Sequence, residues 1–457
     1  MENKVRISFY GGVGKPTGSN FLLEDTEGKT KILIDCGLIQ GCRVCEDENR
    51  EPFPYDPKTI DFLVVTHGHV DHVGRIPKLV REGFRGKIIS TPPTREIGEL
   101  MLHDSLGVLG KEARHDGKPP IYEKNDVEAA VALWQELPYR KELPLGSFTL
   151  VLKNAGHILG SSMAEFSYNG KKIVFTGDLG NSPAPLLPPT DLVSNATVLV
   201  MESVYGDRNH EKREERKQLL EDAIEDSVKV GGALMIPAFS LERTQELLYE
   251  LDDLVAHGRI PETPIFIDSP LAIDVTKIYK KYEDYFNREA KGVIKNGEDI
   301  FNFRGVKFTY TTEESKAILR TPNPKVIIAG SGMSNGGRII HHEKSYLPDP
   351  KSMLLIIGYQ VPGSLGRILQ DGGKRVRILG EDVYVSARVR TIHGYSAHKD
   401  SDHLLQFVEN STDTLKKVFV VMGEPKSSLF LTQRIRDYLG LDARVPKENE
   451  TVEINLD

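Results

Sequence analysis

A short histidine-rich stretch constrains this chain more than any other feature of its sequence. Residues 66–74 read Thr-His-Gly-His-Val-Asp-His-Val-Gly and directly follow residues 62–65, Phe-Leu-Val-Val, which have the composition of a strand. The potential metal ligands in it are His67, His69, Asp71 and His72. In an extended segment, side chains two positions apart face one ion, and the start of a helix turns the following pair toward a second position. The stretch therefore predicts a metal site at the end of a strand.

Two further potential ligands also follow predicted strands. His157 lies in residues 155–161, Ala-Gly-His-Ile-Leu-Gly-Ser, and Asp178 lies in residues 175–180, Phe-Thr-Gly-Asp-Leu-Gly. A single histidine is more often structural, but imidazole and carboxylate groups at this density on strand ends would otherwise lack partners. Asp35 occupies a similar position, and we predict that it orients the ligating histidines rather than binding metal itself.

The length of 457 residues predicts two domains. In the first part, short predicted strands are separated by glycine-rich turns, which favours an α/β fold with many antiparallel strand pairs. After residue 191, apolar strands alternate with helices that carry one apolar stripe each. These later strands span residues 197–201, 233–236, 264–267, 325–329 and 353–357. The second part is therefore predicted to be an α/β domain with a mainly parallel sheet.

Composition narrows the class of protein less than the motifs do. Hydrophobic residues make up 39% and charged residues 27%, which is ordinary for a globular protein. No run approaches the roughly 18 apolar residues of a membrane span, and the N-terminus lacks the apolar core of a secretory signal. A cytoplasmic location without a membrane partner is therefore predicted. The net charge of −7 does not indicate nucleic-acid binding, although a metal and a few arginines in a cleft can bind a phosphodiester on an acidic protein.

The three cysteines of the chain, Cys36, Cys42 and Cys45, lie within ten residues. Their odd number argues against a disulfide framework, and no second Cys-x-x-Cys pair is present to complete a tetrahedral metal site. They are predicted to be free thiols of a reducing compartment.

Taken together, the histidine-rich stretch and the two later ligands resemble the metallo-β-lactamase superfamily, and the resemblance covers nearly the whole chain. It implies an αββα sandwich with a metal cleft at one edge of the sheets. It also implies two zinc ions, one held by His67, His69 and His157 and the other by Asp71 and His72. Asp178 would bridge the two ions.

Two motifs in the second half resemble the β-CASP branch of that superfamily, which cleaves RNA and includes the endonuclease subunit of the cleavage and polyadenylation specificity factor. Residues 200–207, Val-Met-Glu-Ser-Val-Tyr-Gly-Asp, carry Glu202, and residues 395–400, Tyr-Ser-Ala-His-Lys-Asp, carry His398. By the resemblance, His398 donates a proton to the leaving oxygen with Glu202 supporting it, and Asp71 orients the attacking water. A carboxylate beside an imidazole favours its protonated form, which suits that role.

A glycine-rich segment, residues 330–338, is the predicted contact with the RNA backbone. It resembles a family segment, as do residues 236–246 and 268–272. A strand that ends in a glycine-rich turn before a helix offers backbone N–H groups to a phosphate, and an arginine adds a fork of donors. The predicted RNA-binding residues are Ser331, Gly332, Met333 and Arg338. The alternative is a turn that the sequence needs only for packing.

The resemblance predicts that the β-CASP domain is inserted into the metallo-β-lactamase domain. The expected bounds are 1–204 and 387–457 for the two parts of the metallo-β-lactamase domain and 205–386 for the β-CASP domain. The active site would then lie between the domains, an arrangement that suits a thin, flexible strand better than a duplex. Single-stranded RNA is accordingly the predicted partner, and formation of a homodimer is left open.

One position departs from the family pattern. The family closes its second zinc site with a histidine after a strand, and this chain has Met422 there, in Val-Val-Met-Gly-Glu-Pro. A thioether is a weak ligand for zinc, so the second ion would depend on Asp71, His72 and Asp178. His393, five residues before His398, is an additional imidazole in this region.

Three functions are compatible with these residues. The first is a zinc-dependent ribonuclease that hydrolyses single-stranded RNA. The second is an RNA-binding β-CASP protein with weak or no catalysis, because Met422 replaces the last zinc ligand. The third is a hydrolase of small molecules, which explains the zinc ligands but leaves the inserted domain without a purpose. The six metal-binding residues together with Glu202 and His398 favour the ribonuclease.

Overall fold

The computed structural model describes residues 3–26, 29–41, 47–210, 213–358, 360–361 and 363–457, and it divides into two compact units. The first unit comprises Met1–Ser182, Pro189–Asn209 and His398–Asp457, and the second comprises Pro183–Pro188 and His210–Ala397. Cys42, Cys45 and the side chain of His393 lie outside the described part of the chain. Within that part, no helix is both long and apolar enough to cross a membrane.

The first unit contains two seven-stranded sheets among the described residues. In spatial order, the first sheet consists of β22 (Glu450–Asn455), β1 (Lys4–Gly11), β2 (Asn20–Asp25), β3 (Lys31–Ile34), β4 (Phe62–Val64), β5 (Lys87–Ser90) and β6 (Trp134–Glu136). The second consists of β21 (Ala443–Arg444), β20 (Lys417–Val420), β11 (Val198–Met201), β10 (Lys171–Phe175), β9 (Ser162–Tyr168), β8 (Phe148–Asn154) and β7 (Glu142–Leu145). Both sheets mix antiparallel and parallel pairs, as the sequence predicts.

A layer of large apolar side chains joins the two sheets. Phe9 and Phe21 from the first sheet and Phe166, Phe175 and Phe419 from the second belong to one buried cluster. Strand β8 alternates buried and half-buried residues, the pattern of a strand with one face in the core. Burying five such aromatic side chains makes this layer a major source of stability for the unit.

Helices cover the outer face of each sheet. On the first sheet these are α1 (Val70–Val73), α2 (Ile76–Arg81), α3 (Pro92–Asp116) and α4 (Lys124–Ala132). On the second sheet they are α12 (Ser401–Glu409) and α13 (Pro425–Leu439), whose Leu404, Val408, Leu431 and Ile435 pack on it. The layers run helix, sheet, sheet, helix, so the predicted αββα sandwich is confirmed.

The second unit is built on a six-stranded sheet in which every described pair is parallel. In spatial order its strands are β14 (Val306–Phe308), β13 (Ile265–Ile267), β15 (Lys325–Ala329), β12 (Ala233–Pro237), β16 (Met353–Ile357) and β19 (Arg388–Ile392). The three strands β12, β15 and β16 are buried along their whole length, because helices cover both faces of a parallel sheet. The predicted α/β domain with a mainly parallel sheet is confirmed.

Helices connect these strands. They are α5 (Arg213–Val230), α6 (Arg243–Ala256), α7 (Pro270–Lys281), α8 (Arg288–Lys295), α9 (Thr312–Ile318), α10 (Ile339–Tyr346) and α11 (Leu365–Gln370). A two-stranded antiparallel sheet of β17 (Arg375–Ile378) and β18 (Glu381–Tyr384) precedes β19. Short 3-10 turns occupy Glu48–Arg50, Pro57–Thr59, Glu283–Tyr285 and His393–Tyr395.

The borders of the two units differ from the predicted domain bounds of 204/205 and 386/387. The chain passes into the second unit between Asn209 and His210 and leaves it between Ala397 and His398. The later border moves because β19 pairs with β16 over five consecutive residue pairs and so completes the parallel sheet. A strand that follows a domain in sequence and adds to its edge cannot be separated from it by composition alone.

Candidate metal centre

All of the predicted metal ligands lie in the first unit at points where strands end. His67 and His69 follow β4, and Asp71 and His72 lie on the short helix α1. The other two predicted ligands follow β8 and β10 in the second sheet. These are His157 and Asp178. The structure brings all six together, although they come from three separate stretches of the chain.

Four residues that each offer one ligand atom form what we call the first donor group. They are His67, His69, His157 and Asp178. His69 Nδ1 lies 3.0 Å from His67 Nε2 and 3.2 Å from His157 Nε2. Asp178 Oδ2 lies 3.5 Å from His67 Nε2 and 3.6 Å from His157 Nε2. Ligands at the usual distance from a tetrahedral zinc ion are separated from each other by roughly 3.3 Å. The first donor group therefore fits one tetrahedral metal ion.

The second donor group consists of Asp71, His72 and the other oxygen of Asp178. His72 Nε2 lies 3.5 Å from Asp178 Oδ1 and 3.8 Å from Asp71 Oδ2. Both His72 Nε2 and Asp178 Oδ1 are buried and have no hydrogen-bond partner among the described residues. Buried polar atoms are rarely left without a partner, and a bound cation is one of the few ways to satisfy them. Asp178 thus faces both groups, one oxygen toward each.

Asp35 fixes the orientation of His72. Its carboxylate lies 2.7 Å from His72 Nδ1 and accepts hydrogen bonds from the backbone N–H and the hydroxyl of Thr66, and from the hydroxyl of Ser19. The backbone of Asp35 is in the left-handed region, with φ of 58°. With Nδ1 held in this way, Nε2 points toward Asp71 and Asp178.

Burial and neighbouring charges set the protonation of these groups. Burial lowers the pKa of His67 well below its usual value, and His72 adds to the effect. Burial also disfavours the charged form of His72, but Asp178, Asp35 and Asp71 outweigh it and hold that pKa well above its usual value. Burial raises the pKa of Asp71 to about 6. A cation bound here would therefore displace at least one proton from the second donor group.

Glu202 and His398 form a pair beside Asp178. Glu202 follows β11, and its buried carboxylate lies 3.3 Å from His398 Nδ1 and accepts a hydrogen bond from the backbone N–H of Leu179. His398 Nδ1 is also 3.9 Å from Asp178 Oδ2. Burial alone would lower the pKa of His398, yet Glu202, followed by Asp178 and Asp71, raises it to about 9. The pair places a charged imidazole next to the ligand shared by both donor groups.

Lys399 ties the segment that carries His398 to the segment that carries Asp178. Its backbone N–H donates to the carbonyl of Leu179, and its ammonium group donates to the carbonyl of Gly180 at 2.9 Å. Gly180 and His398 form an isolated β-bridge as well. Sequence reasoning missed Lys399, because a lysine that binds backbone carbonyls leaves no signal in the spacing of the motif.

Met422 belongs to the hydrophobic core of the first unit rather than to either donor group. Its side chain is 2% exposed and lies in the buried cluster between the sheets, against Gly12 and Phe21. It also lines a small void together with Asp35 and Glu202, on the inner side of the site. The position that the family pattern gives to a ligand is therefore occupied by an apolar side chain that packs on the core.

The four predicted RNA-binding residues lie in the second unit, in the loop between β15 and α10. Much of the backbone of this loop is hydrogen-bonded within the protein. Ser331 N–H donates to the carbonyl of Gly336. The carbonyl of Gly332 accepts from the side chain of Gln360, and the carbonyl of Met333 accepts from Gly366 N–H. A loop held in this way is rigid. It supports the packing alternative as much as the phosphate-binding prediction.

Arg338 is engaged by its own unit. Its guanidinium donates to Asp268 Oδ1 at 2.8 Å, to the carbonyl of Thr309 and to that of Tyr310. Asp268 is fully buried and also contacts His342 Nε2 at 2.7 Å. The predicted fork for phosphate is thus occupied by protein acceptors. The sequence could not show this, because Asp268 and Arg338 are 70 residues apart.

The fold and the two donor groups together define a metal-dependent hydrolase. Three family models match the chain. The model of the metallo-beta-lactamase superfamily matches residues 14–229, that of the Beta-Casp domain matches residues 244–369, and that of the Zn-dependent metallo-hydrolase RNA specificity domain matches residues 382–446.

Curated relatives extend over nearly the whole chain. A protein named as a ribonuclease from Thermus thermophilus is 38% identical over 428 residues, which cover 93% of this chain and 95% of the relative. Transcription termination factor FttA of Methanosarcina mazei is 30% identical over 98% of this chain and 72% of its own length. The chain therefore belongs to the metallo-β-lactamase superfamily and, within it, to the β-CASP family of metal-dependent nucleases. The predicted family and enzyme class are confirmed.

A comparison with solved structures supports the fold alone. A protein of unknown function from Enterococcus faecalis superposes with a TM-score of 0.56 and covers 99% of this chain, at 11% sequence identity. The arrangement of strands and helices is thus shared by a protein of largely different sequence.

Proposed function

We propose that the protein is a zinc-dependent ribonuclease that hydrolyses phosphodiester bonds in single-stranded RNA. The observation that carries this proposal is the position of Asp178, which faces both donor groups and lies 3.9 Å from His398. A pair of cation sites next to a protonated imidazole is the arrangement that phosphodiester hydrolysis requires, since charge develops on both the attacking and the leaving oxygen. The relative named as a ribonuclease and the match to an RNA specificity domain support RNA as the substrate.

Zinc suits the residues that are present. The first donor group offers three imidazoles and one carboxylate, a ligand set that zinc prefers and magnesium or calcium does not. When bound, zinc supplies Lewis acidity that polarises phosphate oxygens and makes water acidic. Asp71, His72 and Asp178 would hold a second ion without help from residue 422.

The residues around the metal groups have separate roles in the proposed reaction. Asp71, at the open side of the second donor group, orients the attacking water and accepts its proton. His398 donates a proton to the leaving 3′ oxygen. Glu202 keeps the imidazole of His398 in place, and its hydrogen bond from Leu179 N–H fixes the carboxylate itself.

The burial of the ligands supports a single strand as the substrate. The side chains of His67, His157 and Asp178 are at most 4% exposed. A scissile phosphate must come within a few ångströms of them, and a flexible single strand reaches a recessed site more easily than a rigid A-form duplex.

A second candidate is an RNA-binding protein with weak or no catalysis. The observation that favours it is Met422, which packs in the core where the family pattern has a ligand. The second ion would then have only Asp71, His72 and Asp178 as protein ligands, and its occupancy would decide whether cleavage occurs.

The test is cleavage of one RNA sequence, labelled at the 5′ end or at the 3′ end, as a single strand and as a duplex. Zinc-loaded protein and the Asp71→Asn variant are compared, and zinc per chain is measured by mass spectrometry. We expect cleavage of the single strand that Asp71→Asn abolishes. Binding without cleavage by the native protein would establish the second candidate, and turnover of small esters without any effect on RNA would exclude both.

A further inference from the structure

An exposed aromatic ring lies at the carboxyl edge of the parallel sheet in the second unit. Phe239 follows the end of β12 by two residues and is 43% exposed. The carboxyl ends of parallel strands are where α/β domains bind their ligands. A large apolar side chain that remains exposed at this edge therefore has a position suited to ligand contact.

The ring of Phe239 lies face down on the backbone of Gly332. A Cβ atom placed on Gly332 would come within 2.6 to 2.9 Å of Cδ2, Cε2 and Cγ of the ring. Three adjacent ring atoms at nearly equal distance mean that Gly332 lies under the face of the ring and not at its edge. One face is thus covered by the glycine, and the exposed area belongs to the remainder of the ring.

The structure also fixes the backbone that carries the ring. The carbonyl of Phe239 accepts hydrogen bonds from the hydroxyl and the backbone N–H of Thr244, at 2.8 and 3.3 Å. The next carbonyl, that of Ser240, accepts from the side-chain amide of Gln245 at 3.1 Å. Both donors come from the first turn of α6. A ring held at this angle loses little freedom when a ligand covers it.

Two hydroxyl groups lie near Gly330, in the same glycine-rich loop as Gly332. Ser240 Oγ and Ser269 Oγ are 3.1 Å apart, and a Cβ placed on Gly330 would lie 3.6 Å from the first and 3.9 Å from the second. These hydroxyls can bind a ribose or a phosphate oxygen. A single flat ring on a loop that also carries hydroxyl neighbours suits one nucleotide, whereas a protein partner requires a much larger apolar area.

We propose that Phe239 is a stacking platform for one unpaired base of the RNA, with Gly332 as the support of the ring. This inference rests on the proposed function and adds to it the way in which the second unit recognises RNA. It requires a flat face at position 239 and the absence of a side chain at position 332. It does not require a particular base, because every base has a face that can stack.

The experiment measures binding of a fluorescein-labelled single-stranded RNA to zinc-loaded protein by anisotropy, in the Asp71→Asn background to prevent cleavage. We expect Phe239→Ala and Phe239→Leu to weaken binding by about 5- to 100-fold, the range that stacking of one base contributes. Phe239→Trp and Phe239→Tyr keep a flat face and should bind within about twofold of the parent. Gly332→Ala, which displaces the ring, should resemble Phe239→Ala.

Leucine at position 239 separates stacking from packing, because it fills the space over Gly332 without a flat face. Tyr384→Ala is the matched control, since Tyr384 is a 65% exposed aromatic residue of the same unit that lies on β18. Its removal should leave RNA binding unchanged.

A second measurement locates the base. One abasic position is moved along the RNA, and the loss of affinity is compared between the parent and Phe239→Ala. We expect one position to matter in the parent and to have no effect in the variant. If all substitutions at position 239 weaken binding equally, or if Phe239→Ala and Phe239→Leu bind like the parent, the proposal that Phe239 stacks on a base is wrong. The proposed ribonuclease activity is not affected by either result. If the native protein neither binds nor cleaves RNA, the proposed function fails, and the platform fails with it.

Discussion

The strands of the two units of this protein end in chemically opposite ways. In the first unit, the strand ends bring together imidazoles and carboxylates, and His72 Nε2 and Asp178 Oδ1 are buried 3.5 Å apart with no hydrogen-bond partner among the described residues. In the second unit, Asp268 follows β13 and is equally buried, but it accepts from Thr309, Ser315 and Arg338 and contacts His342. Buried acids are common to both edges. Both oxygens of Asp268 have protein partners, whereas Asp178 Oδ1 has no hydrogen-bond partner among the described residues, and this difference indicates a cation site at Asp178 and not at Asp268.

The largest effect is expected from a substitution at the strand ends of the first unit. Asp178→Asn removes the carboxylate that faces both donor groups, so we expect zinc content to fall by at least half and RNA cleavage to fall by about 1,000-fold or more. Asp207→Asn is the control, because Asp207 pairs with Arg208 and Lys426 outside the donor groups. Zinc retention in Asp178→Asn, measured by mass spectrometry, would contradict the assignment of Asp178.

The matching substitution in the second unit should act on stability alone. Asp268→Asn leaves Arg338 and His342 without their charged partner, which costs about 3 kcal/mol in the free energy of unfolding. Zinc content should not change. Urea denaturation measures the first quantity and mass spectrometry the second. A loss of zinc in this variant would remove the distinction between the two edges.

Substitution of Met422 by histidine tests whether a side chain at this core position can bind zinc together with the second donor group. In zinc-free protein, Met422→His places an unpartnered imidazole nitrogen in the core and should reduce stability by about 2 kcal/mol. If the imidazole reaches the second donor group, added zinc will raise the melting temperature more in this variant than in the parent. Met422→Leu conserves volume and provides the control. Equal zinc-linked shifts in all three proteins would show that residue 422 stays in the core.

The effect that is smallest per measured step, here one pH unit, concerns Glu343, a fully buried acid of the second unit that receives a hydrogen bond from Ser334. Burial raises the pKa of Glu343 from its usual value of 4.5 to about 8. Between these values the unfolded chain has lost the proton and the folded chain has kept it, so stability falls as pH rises. We expect a slope of about 1.4 kcal/mol per pH unit in that window, absent in Glu343→Gln. An unchanged slope in the variant, measured by urea denaturation across pH 5 to 8, would show that Glu343 is ionised in the folded protein.

The sequence identified residues that the structure brings together, because each of the six predicted ligands carries a local signal. His67, His69, Asp71 and His72 stand in one stretch after a strand, and His157 and Asp178 each follow a strand in a glycine-rich turn. The strands themselves were predicted from apolar runs, and the structure has strands at those places, with ends shifted by a few residues. Patterns within ten residues are sufficient for this level of detail.

Predictions that depended on distant contacts were less complete. Arg338 was predicted as a phosphate contact from its place after a glycine-rich turn. In the structure its guanidinium donates a hydrogen bond to Asp268, which lies 70 residues earlier in the chain. The bound at 386/387 stays a prediction, and the compact units divide instead between Ala397 and His398, because β19 pairs with β16. The exposed face of Phe239 and the packing of Met422 could not be predicted either, since both depend on a glycine far away in sequence.

The sequence by itself determined the family, the two α/β parts and the kinds of ligand that the site contains. The tertiary structure decided which of these groups are satisfied by the protein and which are not. His69 and His157 are 88 residues apart, and Glu202 and His398 are 196 apart, so their distances depend on how the strands pair across two sheets. The position of a residue after a predicted strand indicates that it lies at a strand end. The distances between ligand atoms depend on how the sheets pack, and a cation site depends on those distances.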